Sequence, residues 1–217
     1  MTCDEVLAEL RANADPENVA GMARYGISSE GTLGVPVPLI RALARKAGRD
    51  GVLAAELWES GVHEARILAT MVADPARITV GEMGAWARDF DSWDVCDQAC
   101  QNLFRYSPHA WAMAKKWAGA RQEFVRRAGF SMMAGLAVKD KKAADADFLE
   151  LLPLIAEAAT DERNMVKKAV NWALRQIGKR NVHLREAAIA AAEEIRALDS
   201  KSARWIASDA LRELRGR

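Results

Sequence analysis

Four stretches with a shared pattern decide the fold of this 217-residue chain: HEARILATMV (63–72), FVRRAGFSMM (124–133), MVKKAVNWAL (165–174) and SARWIASDAL (202–211). Each places apolar residues at the i, i+3, i+4 spacing of a helix with one buried face. Most of the remaining chain shows the same spacing, and it lacks the alternating apolar and polar runs of half-buried strands. The sequence therefore predicts an all-α protein.

The stretches align as internal repeats that share one charged column. WDVCDQACQN (93–102) joins the alignment as a fifth member, and the repeats recur at intervals of 30 to 41 residues. Such intervals are typical of helix-pair repeats such as HEAT units, which stack into a solenoid whose concave surface is lined by the second helix of each pair. We expect a HEAT-like or armadillo-type solenoid with a concave basic surface, formed by a single α-helical repeat domain over 1–217. The column consists of Arg66, Asp97, Arg127, Lys168 and Arg204.

Residues that commonly end helices occur at short intervals along the chain. They divide it into about a dozen helical segments of the usual ~10 to 14 residues. The predicted helix ends lie at Gly26, Gly48, Gly61, Pro75, Pro108, Gly119, Asp161, Asn181 and Asp199.

The composition is that of an ordinary folded protein, with 50% hydrophobic residues, 28% charged residues and a formal net charge of +1. This small net charge excludes a polycation that binds nucleic acid by bulk charge, so a basic face would require charges to be sorted in the fold. Three cysteines, an odd number, favour reduced thiols over a disulfide framework. The acidic start is unlike a signal peptide and no run reaches the ~18 apolar residues of a membrane span, so we expect a cytoplasmic protein.

Several common catalytic and metal-binding patterns are missing from the sequence. His63 and Glu64 could begin a zinc-binding HExxH helix, but Ile67 stands where the second histidine belongs. Cys96 and Cys100, with three scattered histidines, give no recognised zinc spacing. The chain has neither a GxxxxGK[ST] phosphate loop nor a GxSxG nucleophile elbow. We therefore expect no metal and no cofactor.

The charged column has two interpretations. A locally basic track fits a phosphate backbone even in a protein of small net charge. The alternative is a series of solvated charges on surface helices, which is the commoner meaning of such a series. A base in the first turn opposes the helix dipole by about 0.3 to 1 kcal/mol, so four such bases favour a bound anion without excluding the alternative.

Five motifs, in order along the chain, carry a resemblance to a known family. They are LGVPVPLIRALAR (33–45), LWESGVHEARILA (57–69), SWDVCD (92–97), EFVRRA (123–128) and KKAVNWALRQIGKR (167–180). From about residue 31 to residue 178, the sequence resembles the DNA alkylation repair family of HEAT-like DNA glycosylases.

The resemblance implies roles for four residues. The lesion-facing aromatic of the family's WDxxD motif falls on Trp93 and its catalytic carboxylate on Asp97. The phosphate-binding arginine falls on Arg127, and the second aromatic, in contact with the lesion or sugar, falls on Trp172. From the charged column we add three expected phosphate contacts, at Arg66, Lys168 and Arg204.

The chemistry of the family explains the need for these residue types. A purine alkylated at N3 or N7 carries a positive charge and can leave as a neutral base, so no general acid is required. Positive charge then develops on the deoxyribose, where a carboxylate such as Asp97 stabilises it and orients water. Two unit charges ~4 Å apart at an effective dielectric constant near 20 interact by about 4 kcal/mol, which corresponds to at most about a thousandfold in rate. Aromatic rings attract cations by roughly 0.5 to 2 kcal/mol.

The resemblance thus predicts a glycosylase that excises cationic alkylated purines from double-stranded DNA. The family is understood to act without base flipping, so we expect no cavity shaped for a base, and we expect a monomer. One alternative is a HEAT-like protein that binds damaged or branched DNA without excision, and another is a protein-interaction scaffold. The other tryptophans are expected to be packing residues: Trp58, Trp86, Trp111, Trp117 and Trp205.

Overall fold

The computed structural model describes residues 1–216, which form fourteen α-helices and one short 3-10 helix. No strand occurs within these residues, so the predicted all-α class is confirmed. The helices range from 5 to 17 residues in length. No helix among the described residues is long and apolar enough to cross a membrane.

The N-terminal unit comprises Met1–Pro108. Within it, α5 packs against α3, α4 and α7, so α5 lies at the centre of the unit. Its helices are α1 (Cys3–Ala12), α2 (Pro16–Ala23), α3 (Val37–Ala47), α4 (Gly51–Glu59), α5 (His63–Val72), α6 (Val80–Arg88) and α7 (Trp93–Asn102), followed by the 3-10 helix Phe104–Tyr106.

The C-terminal unit begins at His109. Its most extensive helix packing joins α9 to α12, and α12 also packs against α13 and α14. Neighbouring repeats of one solenoid can also form separate contact units, so the expected single domain over 1–217 stays a prediction. The helices of this unit are α8 (Ala110–Ala118), α9 (Glu123–Lys139), α10 (Asp145–Leu149), α11 (Leu152–Ala158), α12 (Asn164–Gly178), α13 (Val182–Arg196) and α14 (Lys201–Arg215).

The helix ends follow the predicted breakers closely. Helix α3 ends before Gly48, which has φ of +75°, a conformation that glycine adopts without strain. Helix α8 ends before Gly119, and α13 begins after Asn181, whose side chain accepts a hydrogen bond from the Leu184 amide. These ends are local, so they could be predicted from sequence.

Aromatic packing forms part of each core. Trp58 and Trp86 stack with ring centroids 4.1 Å apart, and the Trp58 indole donates to Asp89 Oδ2 at 2.9 Å. Trp117 is buried at the junction of α8 and α9. The expectation that Trp205 is a packing residue is wrong, because its side chain is 42% exposed on α14. An amphipathic pattern alone does not show how far the apolar face of a helix extends.

Helices α8 and α9 approach very closely at Gly129. A Cβ atom at this position would lie 2.6 Å from the Ala118 amide nitrogen. Only glycine leaves room for this backbone, so its place in FVRRAGFSMM has a packing reason.

Candidate functional site

A buried carboxylate joins the start of α5 to the loop before α3. Glu64, 1% exposed, accepts hydrogen bonds from the backbone amides of Leu33, Gly34 and Val35 at 2.9, 2.7 and 3.2 Å. The two buried amides, of Gly34 and Val35, and the partly buried amide of Leu33 are thereby satisfied by a carboxylate acceptor, which makes strong hydrogen bonds. Gly34 also has φ of +81° and lies against the Asp15 carbonyl, where a Cβ atom would clash. Glu64 therefore fixes the loop that precedes α3.

A histidine–aspartate pair joins the start of α5 to the start of α7. His63 Nε2 lies 2.8 Å from Asp94 Oδ2, and the two side chains are 4% and 16% exposed. Burial alone would lower the pKa of His63, but the hydrogen bond and charge of Asp94 outweigh it and raise that pKa. Burial would likewise raise the pKa of Asp94, but the contact with His63 lowers it. Both shifts favour the charged pair, which holds the two helix starts together.

A cleft of about 300 Å³ lies where these helix starts meet α2. Carboxylates, amides and apolar side chains line it, and none of its described lining residues is a lysine, arginine or histidine. Asp97, half-buried, lies one turn after Trp93 on the α7 side of this cleft. The lining consists of Asn18, Met22, Ile27, Val35, Pro36, Val37, Ile67, Trp93, Asp94, Asp97 and Gln98.

Two hydrogen bonds fix the walls of the cleft. The Trp93 indole nitrogen donates to the Tyr25 carbonyl at 3.0 Å, which sets the orientation of the ring. The Asn18 side-chain amide donates to the Gly34 carbonyl at 2.6 Å, which ties α2 to the loop held by Glu64. Each of these hydrogen bonds therefore holds one wall of the cleft in place, the first the wall formed by α7 and the second the wall formed by α2.

The volume of this cleft bears on the expectation that no base-shaped cavity exists. Small-molecule sites occupy about 300 to 1,000 Å³, and the cleft lies at the lower limit of that range. Action without base flipping therefore stays a prediction.

In the C-terminal unit, ion pairs join the start of α9 to the start of α12. Asp161, with a side chain only 6% exposed, contacts Arg126 at 3.1 Å and Arg163 at 2.6 Å. Burial would raise the pKa of Asp161, but hydrogen bonds and charge from Arg163, with the charge of Arg126, lower it. Arg163 also donates to the Arg121 carbonyl at 2.7 Å. These contacts place the two helix N-termini side by side.

Hydrogen bonds join the start of α14 to the same place. The Ser200 hydroxyl donates to Glu162 Oε1 at 3.0 Å, and the Ser202 hydroxyl donates to the Asp161 carbonyl at 2.8 Å. Three helix N-termini therefore adjoin within this unit, each with a partial positive charge from its dipole.

The residues of the predicted column occupy similar positions in their helices, counted from the first residue of each helix. Asp97, Arg127 and Lys168 are each the fifth residue of their helix. In α14 the fifth residue is Trp205, and Arg204 is the fourth. In α5 the fourth residue is Arg66, and the fifth, Ile67, lines the cleft. The structural register therefore adds Trp205 to the column, which the alignment by charge did not do.

The predicted phosphate-binding bases differ in exposure. Arg127 is 6% exposed and donates to the Met165 carbonyl at 2.7 Å. The Arg66 guanidinium, 18% exposed, lies 5.6 Å from the Trp58 ring centroid and 3.6 Å from Asp91.

Lys168 and Arg204 are exposed on α12 and α14, with Arg204 3.4 Å from Asp199. Trp172, the ninth residue of α12, is half-buried. The phosphate-binding roles stay predictions, and the accessible bases lie on α12 and α14.

The structure brings together part of the predicted quartet. Trp93 and Asp97 share the cleft of the N-terminal unit, whereas Arg127 and Trp172 belong to the C-terminal unit. Convergence of all four residues on one lesion stays a prediction.

The supporting pair of His63 and Asp94 was not predicted from the sequence. The tryptophan-aspartate dipeptide at the start of α7 was visible in the sequence, but its partner lies 31 residues away. Within residues 1–216, no group of three or more His, Cys, Asp or Glu side chains could hold a metal ion.

Charge is sorted between the two units. Residues 1–108 contain sixteen Asp and Glu against ten Lys and Arg, a formal charge of −6. Residues 109–217 contain fourteen acidic against twenty-one basic residues, a formal charge of +7. The net charge of +1 is therefore the sum of an acidic N-terminal unit, which contains the cleft, and a basic C-terminal unit, which contains the adjoining helix N-termini.

Comparison with known proteins places these features in context. The profile of the family described as DNA alkylation repair enzyme matches residues 6–214. The comparison with curated proteins found no match.

One similar solved structure is described as a new family of proteins related to the HEAT-like repeat DNA glycosylases, with affinity for branched DNA structures. The two sequences are 23% identical, the alignment covers 100% of this chain and 96% of the other, and the TM-score is 0.84. At this identity the likeness shows the fold, and the predicted HEAT-like helical-repeat fold is confirmed.

Proposed function

The chain belongs to the family of DNA alkylation repair enzymes, and from this membership we propose that it is a DNA glycosylase acting on cationic N3- or N7-alkylated purines in duplex DNA. The reaction breaks the bond between sugar and base, releases the neutral base, and adds water to the sugar. It leaves an abasic site.

The observation that carries this proposal is the composition of the cleft. Asp97 and Trp93 line it together, and no basic side chain lies among its described lining residues. A carboxylate and an aromatic ring attract a cationic base or sugar, and neither suits a phosphate. We assign the catalytic carboxylate to Asp97 from the resemblance of SWDVCD (92–97) to the family's motif, in which the second aspartate has this role.

Asp97 acts through electrostatics and water positioning. As the glycosidic bond lengthens, positive charge grows on the sugar, and a carboxylate ~4 Å away stabilises it by about 4 kcal/mol at an effective dielectric constant near 20. Part of that interaction is already present with the cationic ground state, so the gain in rate is below about a thousandfold. The same carboxylate accepts a proton from the attacking water and directs its oxygen to the sugar.

The division of charge supports two roles for the two units. In the proposed complex the basic C-terminal unit binds phosphates through exposed side chains such as Lys168, and the acidic N-terminal unit meets the cationic lesion. An acidic cleft repels phosphates, so the lesion would be drawn to it by its own positive charge. Selectivity for cationic bases follows from this arrangement.

The test is release of 7-methylguanine from an alkylated duplex by the purified protein, followed by chromatography of the free base and cleavage of the abasic strand. The proposal expects both products in equal amounts and duplex binding that weakens steeply with salt. Salt-dependent binding without base release would contradict excision. Failure to bind any DNA would favour the protein-interaction scaffold.

Binding of damaged or branched DNA without excision is the second candidate function. The similar solved structure, whose description reports affinity for branched DNA, favours it. The basic C-terminal unit would serve either function, so only the fate of the base separates them. A cleft with a carboxylate has no evident use in a protein that only binds phosphates, which is why we place excision first.

A further inference from the structure

An exposed stripe runs along α14. Its residues recur at spacings of four, three and four, so they lie on one face of the helix, opposite the buried residues that pack against α12 and α13. Trp205, 42% exposed, lies between two basic side chains of this stripe. The stripe consists of Lys201, Trp205, Ser208 and Arg212, all exposed.

A lysine from the neighbouring helix supports the tryptophan. Lys167 Nζ lies 5.1 Å from the Trp205 ring centroid, over the ring. The cation therefore covers one face of the indole and adds positive charge beside it. Trp205 is also the fifth residue of its helix, the position that Lys168 occupies in α12. The indole thus occupies the same position in its helix as Asp97, Arg127 and Lys168 occupy in theirs.

An exposed tryptophan among bases suits a strand with an unpaired nucleotide. Each base in a matched duplex is stacked between its neighbours, so it offers no free face to a protein side chain. An unpaired base does, and stacking on an aromatic residue is worth about 1 to 3 kcal/mol per base, whichever base it is. Basic residues that flank the ring bind the adjacent phosphates, as in other single-strand sites.

We propose that Trp205 is a stacking platform for an unpaired nucleobase of a DNA strand whose phosphates contact Lys201 and Arg212. This inference rests on the DNA binding in the proposed function, but it does not depend on Asp97 or on excision. It gives the C-terminal unit a preference for gapped DNA over matched duplex.

The test compares binding of the full chain to a matched duplex and to the same duplex with a short single-stranded gap, by fluorescence anisotropy. Trp205→Ala should weaken gapped-DNA binding about five- to a hundredfold and change matched-duplex binding by less than about twofold. Trp205→Phe keeps an aromatic face and should retain most of the preference. A 5-iodouracil in the gap should crosslink to Trp205 on irradiation.

The matched control is Tyr106→Ala. Tyr106 is 50% exposed and lies under the Arg105 guanidinium, so it is also an exposed aromatic residue beside a cation, but in the acidic unit. This variant should bind both DNAs as the native protein does.

Each contrary result has a distinct meaning. Equal loss of both DNAs on Trp205→Ala, or no loss, would overturn the stacking platform. So would native binding without preference for the gap, even if the protein excises alkylated bases. Failure of the native protein to bind either DNA would overturn the proposed function together with this inference.

Discussion

Glu64→Gln should destabilise the protein and loosen one wall of the cleft. The carboxylate is 1% exposed and accepts three backbone hydrogen bonds, one through Oε2 from Leu33 and two through Oε1 from Gly34 and Val35. Glutamine can keep its oxygen toward Gly34 and Val35, but its NH₂ group then faces the Leu33 amide, donor against donor.

The cost follows from these contacts. The partly buried Leu33 amide loses its acceptor, at about 1 to 3 kcal/mol, and the two remaining hydrogen bonds lose their charged acceptor, at roughly 1 kcal/mol more. The expected loss in the free energy of unfolding is about 2 to 4 kcal/mol, or a fall in Tm of roughly 4 to 16 °C for a chain of this size.

Thermal and urea unfolding, followed by circular dichroism, measure this loss. The control is Glu59→Gln, because Glu59 is exposed on α4 in the same unit, and a surface substitution of this kind usually changes stability by less than about 0.5 kcal/mol. If Glu64→Gln were as mild as its control, the carboxylate would not be what holds the loop before α3, and our account of the cleft wall would be refuted.

Three further predictions concern the helix starts, the close packing and the basic unit. His63 has a raised pKa and Asp94 a lowered one, so their mutual stabilisation is present between about pH 4 and 6.5 and is lost as pH rises through the pKa of His63. The difference in unfolding free energy between the native protein and His63→Gln should therefore shrink above that range. A difference that stays constant with pH would contradict the stabilising role of the charged pair. Gly129→Ala should destabilise by about 1 to 3 kcal/mol because its Cβ meets backbone, whereas Gly21→Ala, with nothing within 4 Å, should be neutral or stabilising in the same urea titrations. Lys168→Ala should lower the slope of log K against log salt for duplex DNA by about one, and an unchanged slope would exclude a phosphate contact.

The fold was predictable because its signals are local. The helical spacing of HEARILATMV lies within ten residues, and helix ends such as Gly48 and Asn181 act on their immediate neighbours. Packing of helix pairs then follows from their apolar faces. The HEAT-like class followed from the recurrence of these stretches at intervals of 30 to 41 residues.

The site was only partly predictable because its support is long-range. Trp93 and Asp97 lie in one motif, so their place on α7 followed from the resemblance and helical spacing. The partners of that motif, His63 for Asp94 and Tyr25 for Trp93, are distant in the sequence, and no spacing rule connects them. Their identification required the folded positions of α5 and of the segment after α2 relative to α7.

Two further features were predictable from the sequence: the register of α14 and the distribution of charge along the chain. Alignment by charge placed Arg204 in the column, but the N-cap Ser200 sets the start of α14 and makes Trp205 the fifth residue. Ser200 precedes the amphipathic stretch and was a visible capping signal. The opposite charges of residues 1–108 and 109–217 were also present in the sequence. The boundary between these two halves of the chain, however, is known only from the two compact units of the structure.

In the proposed function, Asp97 acts on the chemistry of excision and not on DNA binding. The most direct test of this role is single-turnover release of 7-methylguanine from an alkylated duplex by native protein and Asp97→Asn, at protein concentrations that saturate the DNA in both cases. We predict a rate about a hundred- to a thousandfold lower for Asp97→Asn at equal occupancy, since a neutral amide removes the charge and keeps the shape. Equal rates of release by the two proteins, or loss of release only through loss of binding, would exclude this role of Asp97.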